Sequence, residues 1–217
     1  MKKLSLVFAL LLMCMCATAQ ITWNVKAGVG IATFAGTNDE GNKVMKLGWK
    51  VGVGIEKPLA ANWLIMPSLE FKQKGSAWEG QETYYDYEEH YYSYEDVVTL
   101  NYLQLPILGA YRTRLNDDFN LTLKAGPYLA YALSGDYEWS DNEGDNGSAD
   151  IFGKEMELEG LESSRFDFGL ALGADVEYHR FVVGAEAEFG FIPCFKNTED
   201  NISIRNISAY ITVGYKF

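Results

Sequence analysis

Eight stretches of this chain set apolar residues at every second position. In 21–33 the odd positions carry Ile21, Trp23, Val25, Ala27, Val29 and Ile31, and the even ones Thr22, Asn24, Lys26, Gly28, Gly30 and Ala32. Leu47, Trp49, Val51, Val53 and Ile55 repeat the pattern, followed by Trp63, Ile65, Pro67, Leu69 and Phe71. The later stretches are 97–113 (Leu103, Leu105, Ile107, Tyr111), 119–134 (Phe119, Leu121, Leu123, Leu129), 165–178, 181–191 and 206–217. Successive strand residues face opposite ways, so a period of two predicts strands with one oily face. Long polar connectors (35–45, 75–96, 135–162, 193–201) alternate with short ones (58–62, 114–118, 179–180). A hairpin needs only a few residues, so the long connectors are additions at one rim. This predicts an all-β fold, an eight-stranded antiparallel transmembrane β-barrel wound as an up-and-down meander.

Alternation alone does not say which face meets solvent, and a soluble lipocalin-like barrel would turn its oily face inward around a ligand. Charge decides for the inverted arrangement. The polar face carries Lys26, Lys46, Lys50, Lys72, Lys124, Arg165 and Lys216 beside Glu56, Glu70, Asp167, Asp175, Glu177, Glu186 and Glu188, balanced in sign. Such a set is expected to neutralise itself in a narrow lumen, where an unpaired charge is costly. Aromatic residues gather at both ends of the oily face, Trp23, Trp63, Phe119, Tyr178 and Phe181 at one and Trp49, Phe71, Phe166, Phe168, Phe189 and Phe191 at the other. Amphipathic rings belong at lipid–water boundaries. An eight-stranded interior is only wide enough for its own side chains, which argues against a conducting pore.

Residues 1–19 read as a secretory signal, with Lys2 and Lys3, an apolar run and Ala17-Thr18-Ala19, and leave 20–217 as the barrel domain. The run is too short for a spanning helix. A lipoprotein anchor at Cys14 or Cys16 is disfavoured by the bulky Met13 and Met15 before them. Only Cys194 then remains, so no intrachain disulfide forms. The formal charge of −12, which falls to −14 once Lys2 and Lys3 leave, repels phosphate backbones and excludes nucleic acid as a partner.

The stretches PSLEFKQKG (67–75), NYLQLPILGAY (101–111), LKAGPYLAYALSG (123–135) and 166–191 resemble the PorT-type family of outer-membrane barrels, also described as an outer-membrane protein beta-barrel domain. The resemblance runs over about 21–217 and implies an eight-stranded outer-membrane barrel. Most members of that family have no assigned activity. Its founding member is implicated in secretion and gliding, but the shared motifs are strand and turn positions and carry no such role. The tyrosine-rich and acidic connectors lie outside the shared pattern.

Candidate chemistry lies mostly in those connectors. TYYDYEEHYYSYED (83–96) holds Tyr84, Tyr85, Tyr87, Tyr91, Tyr92 and Tyr94, six of the fourteen tyrosines. They suit either a protruding hairpin or a contact surface for an extracellular protein or glycan. His90 with Ser93 and Asp86 could be cast as a lipid-modifying site, although acid, serine and histidine meet by chance in any polar loop. Asp141, Glu143 and Asp145 alternate like calcium ligands, but Asn146 and Phe152 stand where an EF-hand needs glycine and a bidentate glutamate. A flexible acidic loop is the expectation there, with no catalytic residue, metal or cofactor. The expected surroundings are outer-membrane lipid and lipopolysaccharide, the expected state a monomer, and the terminal Phe217 resembles the signal read by barrel-assembly machinery.

Overall fold

The computed structural model describes residues 21–37, 43–86, 88–153, 162–197 and 202–217, with positions 37, 82–86, 88–91, 197 and 202 described in backbone only. The expected leader lies outside the described residues. Twelve strands follow in order: β1 (Thr22–Thr37), β2 (Lys43–Val44), β3 (Lys46–Pro58), β4 (Trp63–Asp86), β5 (Glu88–Arg114), β6 (Phe119–Asp141), β7 (Asn146–Asp150), β8 (Glu162–Ser163), β9 (Phe166–Tyr178), β10 (Phe181–Gly190), β11 (Phe195–Asn197) and β12 (Ile202–Lys216). Eight of them form an antiparallel ring in the order β1-β3-β4-β5-β6-β9-β10-β12, closed by β1 pairing with β12 from Asn24↔Lys216 to Thr37↔Ser203. The other four are short pieces at one rim. The ring thus holds eight of the described strands, and the extra pairing comes from connectors that fold as sheet. Among the described residues there is no helix.

The period-two faces fall where alternation placed them. Val29, Leu47, Ile211 and Val213 are exposed on the outer wall, while Lys50, Lys72, Lys124 and Glu188 are buried. A lipocalin-like interior is thereby overturned, because the oily face points out. The outer aromatics pair into two belts. Trp63 stacks on Tyr111, Phe119 on Tyr178 and Phe181 on Tyr215 at the short-turn rim, with centroids 5.2, 4.9 and 5.4 Å apart. Trp49 on Phe71, Tyr131 on Phe166 and Phe168 on Phe191 form the other. At about 3.3 Å per residue and a barrel tilt near 40°, Phe181 and Phe191 lie roughly 25 Å apart along the axis. That is the height of a lipid-facing apolar band.

Two irregularities shape what stands beyond the belt at the long-connector rim. The β5–β6 register shifts by one between Asn101 and Tyr102. A one-residue slip sends every later side chain to the other face. Even positions of β6 such as Ala130 and Ala132 are buried below the shift, and above it the odd positions Gly135, Tyr137 and Trp139 turn inward. The second is the length of the β4–β5 hairpin, paired from Trp63↔Tyr111 to Pro67↔Ile107 and then without a break from Glu70↔Gln104 to Asp86↔Glu88. Segments 75–86 and 88–96, connector by composition, are therefore paired sheet, widened by the upper part of β6 and by β7.

Candidate functional site

Within the ring, the lysines and carboxylates of the polar face pair across the lumen. Lys74 meets Asp167 at 3.2 Å and Glu188 at 3.1 Å, and Lys72 meets Glu188 and, at 2.8 Å, Glu70. Lys50 meets Glu70 at 3.0 Å and Glu186. Lys124 lies 2.5 Å from Glu186 and 2.7 Å from Asp175, and Lys26 lies 3.4 Å from Asp175. These five cations and five anions form one connected chain. Nearer the short-turn rim Arg112 and Lys216 share Glu56 and Glu177 at 2.5 to 3.5 Å. Both groups are neutral, as a desolvated interior requires.

Tyrosines roof the lysine layer. The Lys74 ammonium lies 4.4 Å from the Tyr128 ring centroid, and those of Lys72 and Lys50 lie 5.3 and 5.6 Å from that of Tyr210. The Tyr210 hydroxyl donates to the Gln73 carbonyl and the Tyr128 hydroxyl to Asp167 Oδ2. Glycines on the inner wall make room for these groups. A Cβ on Gly30 would come within 2.7 Å of the Tyr210 ring, and one on Gly173 within 2.7 Å of Lys124 Cε.

Arg165 stands apart from this cluster. At the start of β9 its guanidinium donates to the Ala132 and Leu133 carbonyls and lies 4.0 Å from the Phe152 ring centroid. Its alternation matches the lumen, but it sits two residues beyond Asp167, where the carbonyls beside the register shift accept from it. The ion chain also takes in Lys74, and the rim quartet joins Glu177 with Arg112 and with Glu56 and Lys216, both of which alternation places on the polar face. Lys74 and Arg112 share that parity, which is the signal that marks them.

Glu70, Glu186 and Glu188 bring carboxylate oxygens within 4.8 Å of one another. Lys50 and Lys72 lie between them, so the group is an ion-pair core and not an open ligand set. The mouth at the long-connector rim is covered by an apolar cap in which Ile151, Cys194 and Phe195 pack on Phe34, Val98 and Leu100, with Phe152 and Trp78 alongside. Within the connector 136–162, read from sequence as a flexible acidic loop, Asp136–Ser140 pairs with Asn146–Asp150. Residues 154–161 lie outside the described residues. The Cys194 thiol donates to the Ile204 carbonyl inside the cap.

Of the six connector tyrosines, Tyr92 and Tyr94 are described in full. Their rings lie 6.2 Å apart, the Tyr92 hydroxyl donates to Asp141 Oδ2, and the Tyr94 ring covers Gly80. Tyr84, Tyr85 and Tyr91 are placed in paired backbone, as is His90 opposite Tyr84, with their side chains outside the described residues. Tyr87 lies outside them altogether. Ser93 and Asp86 sit at other register positions, opposite Gln81 and Glu88. Asp141 Oδ1 accepts the backbone N–H groups of Glu143 and Asp145, both at 2.9 Å, so the carboxylate with calcium-like spacing ties a turn. Partial burial opposes its ionisation, but the Asp145 and Glu143 N–H groups and the Tyr92 hydroxyl outweigh that and hold its carboxyl below the usual range.

A closed sheet, oily outside with two aromatic belts and ionic inside, is the arrangement of a barrel that crosses lipid with strands. The chain belongs to the family described as outer membrane protein beta-barrel domain, whose sequence model matches residues 17–196, and it is an outer-membrane protein. No curated protein matches it significantly. Among solved structures it is similar to Ail, the attachment invasion locus protein of Yersinia pestis, crystallised with the heparin analogue sucrose octasulfate. That match has 15% identity, 91% of this chain and 99% of that chain covered, and a TM-score of 0.42. It is also similar to Neisserial surface protein A (12%, 90% and 97%, TM-score 0.45) and to the outer membrane enzyme PagL (15%, 87% and 97%, TM-score 0.40).

Proposed function

We propose that the chain is an eight-stranded transmembrane barrel of the PorT type, monomeric and closed to conduction, that holds a sheet above the outer surface for contact with an extracellular protein or glycan. In this reading the short turns and both termini face the periplasm, residues 1–19 are removed on export, and Phe217 is read during assembly. The role is anchoring and presentation, without catalysis.

The contrast between the two halves of the molecule carries this reading. The ring is filled by mutually paired ions beneath an apolar cap, while the β4–β5 hairpin runs on past the outer belt. From Asn101 to Glu88 that extension amounts to roughly 30 Å above the lipid boundary. Its inner face is aromatic, through Trp78, Tyr92, Tyr94, Tyr137 and Trp139, a composition common in contact surfaces. Reconstitution into planar bilayers tests the closed lumen. The expected record is flat, and unitary conductance steps like those of an open porin would overturn it.

A further inference from the structure

We propose that the outer wall of β10, β12 and β1 seats one lipid of the outer leaflet whose phosphate headgroup is net anionic, with Arg205 and Lys196 on its phosphate and an acyl chain in the groove below them. The inference rests on the orientation proposed above, with the long strands outward. On the lipid-facing side of β12, Arg205 follows Ile207, Ala209 and Ile211 upward and marks the end of the apolar band. Its neighbour on β1 is Ala35. Lys196 on β11 pairs with Ser203, two residues from Arg205 on the same face of β12, a diagonal spacing that long side chains bridge. Both cations are exposed, and among the described residues neither is engaged in an ion pair.

Beneath them the wall is concave. A depression of about 420 Å³ lies between Ala35, Phe189, Arg205 and Ile207. Directly below, a groove of about 760 Å³ is floored by Ala185, Ala187 and Ala209 and flanked by Val29, Ile31 and Leu47. The small residues are register neighbours, Ala187 pairing with Ala209, and Ala209 with Ile31. A cationic rim over an apolar trough matches an anionic headgroup over its hydrocarbon tail, and bilayer lipid already bathes this wall. The opposite side of the ring repels such a headgroup, since β4, β5 and β6 raise Glu79, Glu95, Asp136 and Glu138 above the same boundary. Charge and shape therefore coincide in this one sector, away from the acidic side.

The test titrates the full protein in detergent micelles with bisphosphorylated lipid A, with the same lipid lacking phosphates, and with phosphatidylethanolamine, counting bound lipid by native mass spectrometry. One bisphosphorylated molecule should be retained at least about tenfold more tightly than the others, given roughly a fivefold gain per cation near an anionic surface. Arg205→Glu with Lys196→Glu should abolish that preference, and Ala209→Phe should weaken retention by filling the groove. Glu138→Lys on the far side should change nothing. If the charge reversal does not fold, Arg205→Gln alone should lose about fivefold. Equal retention of all three lipids, or full retention by the charge variants, overturns the seat. Orientation is read separately, from labelling of Ser203→Cys by an impermeant maleimide on intact cells. Labelling from outside supports the outer leaflet as the lipid's source, and labelling only after the membrane is opened overturns that source.

Discussion

Lys72 shows what the lumen asks of a single residue. It is fully buried, its ammonium is shared by Glu70 and Glu188, and no water-facing position lies within its reach. Replacing it with Met leaves the ion chain with one uncompensated negative charge in a low-dielectric interior and should cost about 3–5 kcal/mol. Removing Lys72 and Glu188 together, as Met and Leu, keeps the remaining chain neutral, because Lys74 retains Asp167 and Lys50 retains Glu70. The double variant should be well above additivity in urea titrations followed by tryptophan fluorescence. Stability at or below the sum of the two single losses would mean the pair is not a unit. His179 makes a different residue-scale case. It closes the tight β9–β10 turn at φ 54°, a left-handed backbone that costs an L-residue about 1–2 kcal/mol. His179→Gly should stabilise the barrel by up to about 1 kcal/mol, and His179→Val should destabilise it by at least as much, measured in the same titration.

Strands add a rule that no single residue contains, namely parity. Leu170 faces outward on β9 and Thr212 inward on β12, where its methyl lies close to Gly28. Arginine at Leu170 places a charge in hydrocarbon and should cost about 2–4 kcal/mol in lipid vesicles. Arginine at Thr212 meets no hydrocarbon, and its penalty is crowding against the packed lumen. The two variants should therefore part when the vesicle bilayer is thinned, with only Leu170→Arg partly relieved. A common response would contradict the parity. Parity is also where the sequence is hardest to follow. The register shift beside Tyr102 moves Tyr137 and Trp139 to the inner face, and alternation counted from Phe119 onward predicts the opposite for both. The turn at Asp141 belongs to this scale as well. Its depressed carboxyl supports the turn fully above the unfolded aspartate range and loses it as pH falls through the lowered value.

For the molecule as a whole, the ring and the raised sheet are separable. The wall is closed by β1 and β12, which join the two ends of the described chain, and no part of that seam depends on the hairpin above Trp78. Excising 80–94 and joining Glu79 to Glu95 through Asn-Gly uses an existing pair and a favoured two-residue turn. The shortened protein should keep its heat-modifiable mobility and thermal midpoint within a few degrees while losing surface contacts on intact cells. Unfolding of the ring on excision would show instead that the hairpin is structural.

Residues such as Val29, Leu47 and Ile211 settle the outer wall by local alternation, because a strand's faces depend only on neighbours two positions away. The same logic marks Lys26, Lys50, Lys72, Lys124 and Glu186 as interior. Which lysine meets which carboxylate was not legible: Lys50 and Glu186 are 136 residues apart and meet only through the stagger at which the ring closes. Nor was the cap, since Ile151 and Phe195 lie in connectors without periodicity and gain meaning only when two loops fold over one mouth. Arg165 obeyed the pattern and still landed on carbonyls above the ions, because height along the axis is set by register and not by parity. Local chemistry thus dictated strands, faces and solvent, and closure of the ring decided partners, height and cover.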